Sequence, residues 1–369
     1  MKGYIHIGIQ KTGSTTLQSF LYANHELLRD KGYLYPLSVI SASPYNHEHR
    51  LHTRALPRLV GRLRRELRRS GGMKVILSQE NLATSMLEPE KLRGLRDFLQ
   101  QVGLRDITII IYLREVSDLY ASWCGEMLRW GRDLSFIHTM PQDALSAGVN
   151  MDYRSILQGW GAVFGAQRLK VRLFAPGDLY GGDLLRDFIQ AIDGSWDQHF
   201  VIPPRQNESL DLLEMTLMSG INRALGSDAD THRGRALKRR IFACLRACRT
   251  AAGGEAEHAA LAFAPPRAIS RAYAEYFAAS NEWVREHYFP GRAALFAPPR
   301  CEQASYRENF QLQQLQPACW DELGGVLLAL AGRRGQNRGA WRRAQASLAK
   351  RLAIWRALHL PQAAARAGE

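Results

Sequence analysis

The feature that most limits the fold is a polar loop, Gly8-Ile9-Gln10-Lys11-Thr12-Gly13-Ser14-Thr15-Thr16, lodged between an apolar run and an amphipathic one. Gly3 to Ile9 reads as a buried strand, while Leu17, Phe20, Leu21, Asn24 and Leu28 mark one face of a helix that Gly32 stops. A loop that feeds a helix N-terminus points unsatisfied backbone N–H groups at one spot, and the helix dipole adds positive potential there. Gly13 permits close backbone approach to a ligand and Lys11 adds a mobile cation. Thr12, Ser14, Thr15 and Thr16 add hydroxyls. The loop suits a phosphate-like dianion.

The remaining pattern repeats the strand-then-helix theme. Lys74 to Gln79, Ile107 to Leu113 and Leu169 to Phe174 read as further strands, each rich in apolar and β-branched residues. Helices are expected up to about Arg69, over Glu90 to Val102, Ser117 to Trp130 and Met151 to Phe164, and then over Asp183 to Ile192, Leu210 to Ala224 and Arg267 to Tyr288. Strands alternating with helices predict an α/β fold: a central parallel sheet flanked by helices, with a mainly helical second half of the chain. One domain is expected over residues 1–330, with a helical excursion near 227–257, followed by a basic tail over 331–369.

The loop departs from the nucleoside-triphosphate pattern in which Lys immediately precedes the magnesium-binding Ser or Thr. Here Lys11 precedes Gly13, with Ser14 in the place of that lysine. The strands also lack a terminal Asp for magnesium: the third ends in Leu113-Arg114, the second in Gln79-Glu80, the fourth in Ala175-Pro176. Arg114 at a strand's carboxyl end, with Ser122 two turns into the next helix, can grip a second phosphate from two sides. Alternatively, Arg114 pairs with Glu115 or Asp118 and Ser122 is a small packing residue.

Taken together, HIGIQKTGSTTLQ and YLREVSDLYASW resemble the sulfotransferases that use 3′-phosphoadenosine-5′-phosphosulfate (PAPS), a branch of the P-loop NTPase-like fold. Later segments resemble its bacterial members too: VRLFAPGDLYGGDLLRDFI, NESL from Asn207, and SNEWVREHYFPG from Ser280. The resemblance spans roughly residues 3–297 and is most specific in the first 125. It implies that Lys11 to Thr16 hold the 5′-phosphosulfate, that Arg114 and Ser122 hold the 3′-phosphate, and that Asn207 and Ser209 close over the nucleotide. A helix cap at Asn207 or Ser209 is the alternative reading.

Lys11 is the candidate for neutralising charge on the bridging oxygen as the sulfur–oxygen bond breaks. The acceptor needs a general base, and Glu80, at the carboxyl edge of the sheet, is the leading candidate. His47 and His49, in Asn46-His47-Glu48-His49-Arg50, are its rivals, since imidazole titrates near neutral pH. No third ligand accompanies the two histidines, and the expected chemistry needs no metal.

Charge bears on partners. The net charge is +14, and the residues from Ala331 to Glu369 carry nine Lys or Arg against one Glu. Trp341, Leu348, Leu352, Trp355 and Leu358 would form one stripe on a helix, with Arg342, Arg343, Lys350, Arg351 and Arg356 around it. That pattern suits either an anionic membrane surface or packing on the main domain. Five scattered cysteines (Cys124, Cys244, Cys248, Cys301, Cys319) without an export signal read as reduced thiols, so a cytoplasmic protein is expected, with peripheral contact at the inner membrane face as an option. The expected acceptor is a glycan, glycolipid or small hydroxylated metabolite, with no specific nucleic acid. The competing classes are a P-loop nucleotide or metabolite kinase and a non-catalytic basic protein that binds nucleic acid or membrane.

Overall fold

A computed structural model of the chain describes residues 1–40, 57–146, 150–204, 210–251 and 262–310. His47, His49, Asn207, Ser209 and the tail over 331–369 lie outside the described residues. In chain order the elements are β1 (Lys2–His6), α1 (Ser14–Ala23), α2 (His25–Asp30), β2 (Tyr33–Leu34), α3 (Pro57–Arg69), β3 (Lys74–Ser78), α4 (Leu82–Ser85), α5 (Pro89–Gln101) and β4 (Asp106–Leu113). There follow α6 (Val116–Arg129), α7 (Pro141–Ser146), α8 (Tyr153–Phe164), β5 (Leu169–Leu173), α9 (Leu184–Ala191), α10 (Leu212–Leu225) and α11 (His232–Ala251), then helices over Arg267–Tyr276 and Ala278–Tyr288.

The strands form one five-stranded parallel sheet in the order β2-β3-β1-β4-β5. β1 lies at its centre, with Ile5 paired to Leu77 of β3 and to Ile109 of β4. Parallel sheets need cover on both faces, and β4 fits this: Ile109 through Leu113 are fully buried. Each such side chain contributes about 1.5–3 kcal/mol by leaving water. The chain winds to one side of β1 through β2 and β3, then crosses to the other side for β4 and β5. Winding therefore reverses at β1, and the carboxyl ends of β1, β3 and β4 frame the crevice where such sheets take ligands.

The α/β fold expected from the sequence is the one observed, with local differences: the helix expected over Arg267 to Tyr288 is two, Arg267–Tyr276 and Ala278–Tyr288, parted at Phe277, and the short α4 and α7 were not anticipated. The first helix breaks at Asn24, whose buried amide donates to Phe20 O (2.8 Å) and Val201 O (2.8 Å) and accepts from Val201 N (2.7 Å). Asn24 sits on the buried face, but as a polar staple to a distant loop rather than as part of the apolar stripe. The short β2 was not anticipated, because two residues carry no periodicity.

The chain divides into two compact units. The first (Met1–Ser122, Thr139–Glu208, Arg267–Tyr306) contains the whole sheet. The second (Trp123–His138, Ser209–Pro266, Arg307–Glu369) is mainly helical among its described residues. Within the second unit the last carbonyls of α6 are capped by side chains. Asn222 donates to Leu128 O (2.8 Å) and Arg132 O (2.6 Å), and Lys238 donates to Arg129 O (2.8 Å) and Asn222 Oδ1 (3.0 Å). Burial pulls the Lys238 ammonium down to about 8. Among the described residues no helix is long and apolar enough to cross a membrane.

At the amino edge of the sheet, Asp193 accepts from Lys2 (3.0 Å), Tyr4 (2.7 Å) and Lys170 (2.6 Å). Burial opposes its ionisation, but the hydrogen bonds from Lys170, Tyr4 and Lys2 outweigh that and hold the carboxyl well below the usual range. A carboxyl depressed in the folded state contributes stability above its unfolded pKa near ~4, and that stability is lost as pH falls through the folded value. Asn tolerates the left-handed backbone at this position (φ 57°). Asp193→Asn is therefore expected to lower stability by about 1 kcal/mol or less at pH 7, since these are partly exposed pairs. The gap to the parent should narrow progressively as pH falls below ~4, where the unfolded carboxyl begins to protonate. Thermal melts from pH 7 to pH 2.5 check this; a constant gap would contradict it.

Candidate functional site

The polar loop is held from both sides because the β1 ladder continues past His6. Ile7 N donates to Ile110 O (3.0 Å), Tyr112 N to Gly8 O (2.8 Å) and Ile9 N to Tyr112 O (3.2 Å), which fixes the loop to β4. On the other flank Gln79 N donates to His6 O (2.9 Å) and Ala83 N to Ile7 O (3.1 Å). Gly8 lies so close to the turn after β3 that a Cβ there would stand 2.2 Å from Glu80 O. Gln10 donates to Asn81 Oδ1 (2.6 Å) in the same turn. The backbone of Glu80 is thus in direct contact with the base of the loop.

Within the loop, Thr12 Oγ1 donates to Ile9 O (2.6 Å) and Ser14 Oγ to the same carbonyl (3.3 Å). Those two hydroxyls, both buried, spend their hydrogen on closing the loop. Thr15 and Thr16 remain half-buried in the first turn of α1. Gly13 (φ 79°) occupies the N-cap position, and no side chain caps α1. Lys11 also adopts a left-handed conformation (φ 65°), unusual for a residue with a side chain and frequent where backbone amides form an anion-binding concavity. A Cβ on Gly13 would meet Leu184 Cδ2 at 2.4 Å, so α9 packs against the loop's outer side.

Beneath the loop lies a polar strut. His6 Nδ1 and Gln18 Nε2 both contact Ser78 Oγ, at 2.8 and 3.0 Å, tying β1, β3 and α1 together. Burial pushes the His6 imidazole down to about 3, so it stays neutral at physiological pH.

Arg114 leaves the tip of β4 and donates from Nη1 to Lys11 O (3.0 Å), with its guanidinium 5.9 Å from the centre of the Phe174 ring. Tyr153 fixes its backbone by donating to Arg114 O (2.5 Å). Among the described residues no carboxylate lies within ion-pair distance of Arg114. Glu115 turns away into α6, accepting from Asp118 N (2.8 Å) and Ser117 Oγ (2.5 Å) as that helix's cap. Burial raises the Glu115 carboxyl and lowers the Arg114 guanidinium, an unusual strain on an arginine. The two strand–helix junctions therefore differ: α6 carries its own anion, and α1 carries none. Ser122 is half-buried on α6, with no hydrogen bond among the described residues.

Arg300 was not anticipated from the sequence. Its charge weighs against that of Arg114, which brings a second guanidinium to the same neighbourhood. The segment carrying it is anchored by Arg267, which donates to Cys301 O and to Tyr306 O (2.8 Å), and by an ion pair between Arg292 and Asp178. No spacing rule links residue 300 to residue 114, so the sequence held no signal for it. The structure joins Lys11 to Arg114 through the Lys11 carbonyl and Glu80 to Gly8 through backbone contact. The proposed roles of His47, His49, Asn207 and Ser209 fall outside the described residues. Among the described residues no cluster of three or more His, Cys, Asp or Glu could hold a metal ion.

No protein-family model matches the chain, and no curated protein does. Among solved structures, a sulfotransferase from Alicyclobacillus acidocaldarius is similar at 17% identity, covering 62% of this chain and 96% of its own, with a TM-score of 0.36.

Proposed function

We propose that this chain is a sulfotransferase that takes the sulfuryl group of PAPS and places it on a hydroxyl or amine of a carbohydrate or glycolipid acceptor. The observation that carries the reading is the half-buried Arg114 guanidinium. It has no carboxylate partner among the described residues and is fixed against a loop whose helix start is uncapped. An unpaired buried cation is costly to maintain, and a doubly phosphorylated nucleotide would relieve that cost at both ends. Backbone N–H groups from Gly13 onward, with Thr15 and Thr16, would hold the 5′-phosphosulfate. Arg114, Ser122 and Arg300 would hold the 3′-phosphate. Gly13 supplies the left-handed N-cap backbone (φ 79°) from which those amides start, and its missing side chain leaves room for Leu184 of α9.

In the transfer, the acceptor oxygen or nitrogen forms a bond to sulfur while the bond from sulfur to the bridging oxygen breaks. The products are a sulfate ester or sulfamate and 3′-phosphoadenosine-5′-phosphate. The acceptor proton goes to a base, for which Glu80 is proposed because its backbone adjoins the loop. Lys11 neutralises the leaving oxygen.

Two measurements test the reading. In a thermal-shift titration, 3′-phosphoadenosine-5′-phosphate is expected to stabilise the protein and ATP is not. Stabilisation by ATP with magnesium alone would favour a kinase. In transfer of labelled sulfate from PAPS to a glycan panel, Glu80→Gln should lower kcat by about 10²–10⁴-fold with nucleotide affinity retained. Unchanged kcat would remove Glu80 from the role of base.

A further inference from the structure

We propose that the outward face of α3 is a docking track for a polymeric acceptor that carries repeated carboxylate or sulfate groups. The proposal deepens the transferase reading above and rests on it for the word acceptor. Helix α3 has the sequence PRLVGRLRRELRR. Its inner side is apolar, with Leu63 and Leu67 buried at 0% and 2% exposure. Between residues 60 and 70 the exposed positions are Arg62, Arg65, Arg68 and Arg69, and nothing else. Arg62, Arg65 and Arg69 are three and four residues apart, so they align along one side of the helix over roughly 10 Å.

The helix's one carboxylate does not balance this row. Glu66 accepts from Leu37 N (3.0 Å) and Ser38 N (3.1 Å), so both its oxygens serve the turn after β2. Among the described residues none of these arginines lies within ion-pair distance of a carboxylate. Like charges at such spacing repel one another and destabilise the helix that carries them. The row therefore carries a standing repulsion that an external polyanion would relieve.

Position identifies the occupant. α3 ends five residues before Lys74 opens β3, so Arg69 stands toward the amino edge of the sheet. Moving back along the helix through Arg65 to Arg62 leads toward the carboxyl edge, where Glu80 adjoins the loop. A chain whose reacting group lies at that edge could continue along the arginines. A membrane fits less well, because surface helices insert apolar or aromatic side chains and the exposed positions between residues 60 and 70 are all arginine. Nucleic acid fits less well too, since the row lacks the aromatic or amide side chains that stack on or read bases.

The test uses the full chain, fluorescence anisotropy and labelled oligogalacturonate as the polyanion, comparing the parent with Arg62→Gln/Arg65→Gln/Arg69→Gln. The triple variant is expected to bind at least about 10-fold more weakly at 50 mM salt, with a salt dependence shallower by about two contacts. Its melting temperature and its stabilisation by 3′-phosphoadenosine-5′-phosphate should match the parent's. Equal binding of oligogalacturonate by parent and variant overturns the proposal. So does tighter arginine-dependent binding of single-stranded DNA or of phosphatidylglycerol vesicles. If the parent ignores the bisphosphate yet binds the uronate through these arginines, the transferase reading falls and the polyanion track stands.

Discussion

Replacing Arg114 with alanine is expected to weaken binding of 3′-phosphoadenosine-5′-phosphate by about 10²–10³-fold, because a forked guanidinium–phosphate contact supplies two charge-assisted hydrogen bonds. Protein stability should respond differently. In the free protein this guanidinium is pulled from water with no carboxylate in ion-pair contact among the described residues, and its hydrogen bond there runs to Lys11 O at 3.0 Å. Its removal deletes a desolvation cost along with that bond, so the ligand-free melting temperature should stay within a few degrees of the parent's or rise. A binding residue that strains its own fold is a familiar trade between stability and function. Arg114→Lys should recover little, since a lysine offers a point charge and cannot hold the loop carbonyl and a phosphate with one planar fork. Isothermal titration with the bisphosphate, read beside thermal melts, separates the outcomes. A large loss of ligand-free stability with unchanged affinity would make Arg114 a purely structural residue.

Gly8→Ala should be the most damaging single substitution in the loop. The residue has φ 104°, and an added Cβ would stand 2.2 Å from Glu80 O and 3.2 Å from Glu80 Cα. Those are backbone atoms, and hydrogen bonds to β4 on the opposite side leave Gly8 nowhere to retreat. Displacing one of two paired segments should cost about 3–5 kcal/mol. Gly13→Ala also meets a left-handed backbone (φ 79°), but its closest contact is the tip of Leu184, which can rotate aside. Its cost should be nearer 1–2 kcal/mol. Urea unfolding of the two variants tests the ranking, and a costlier Gly13→Ala would show that the contact between loop and β3 turn is looser than described.

The sheet was legible because parallel strands must be buried on both faces, and continuous apolar runs such as ITIIIYL report that directly. Breaks within helices were harder to see. Asn24 occupies a buried-face position at helical spacing, and only its bonds to Val201 reveal that it ends α1. The same holds for the hydroxyl cluster: Thr12 and Ser14 have the residue type of anion donors, but their partner is Ile9 O. Composition gives the donors present in a loop without giving the direction in which each points.

From the order of residues alone came the parallel α/β architecture, the strand–loop–helix junction at Gly13 and the placement of Arg114 at a strand tip. These are local properties, fixed by hydrophobic periodicity and by backbone chemistry within a few neighbouring residues. Tertiary structure decided which charges remain uncompensated: Glu115 and Glu66 are spent capping nearby turns, and Arg300 is carried to Arg114 by a distant anchored segment. Pairing of charges depends on distances across the fold, and no count of Lys, Arg, Asp and Glu along a chain contains those distances.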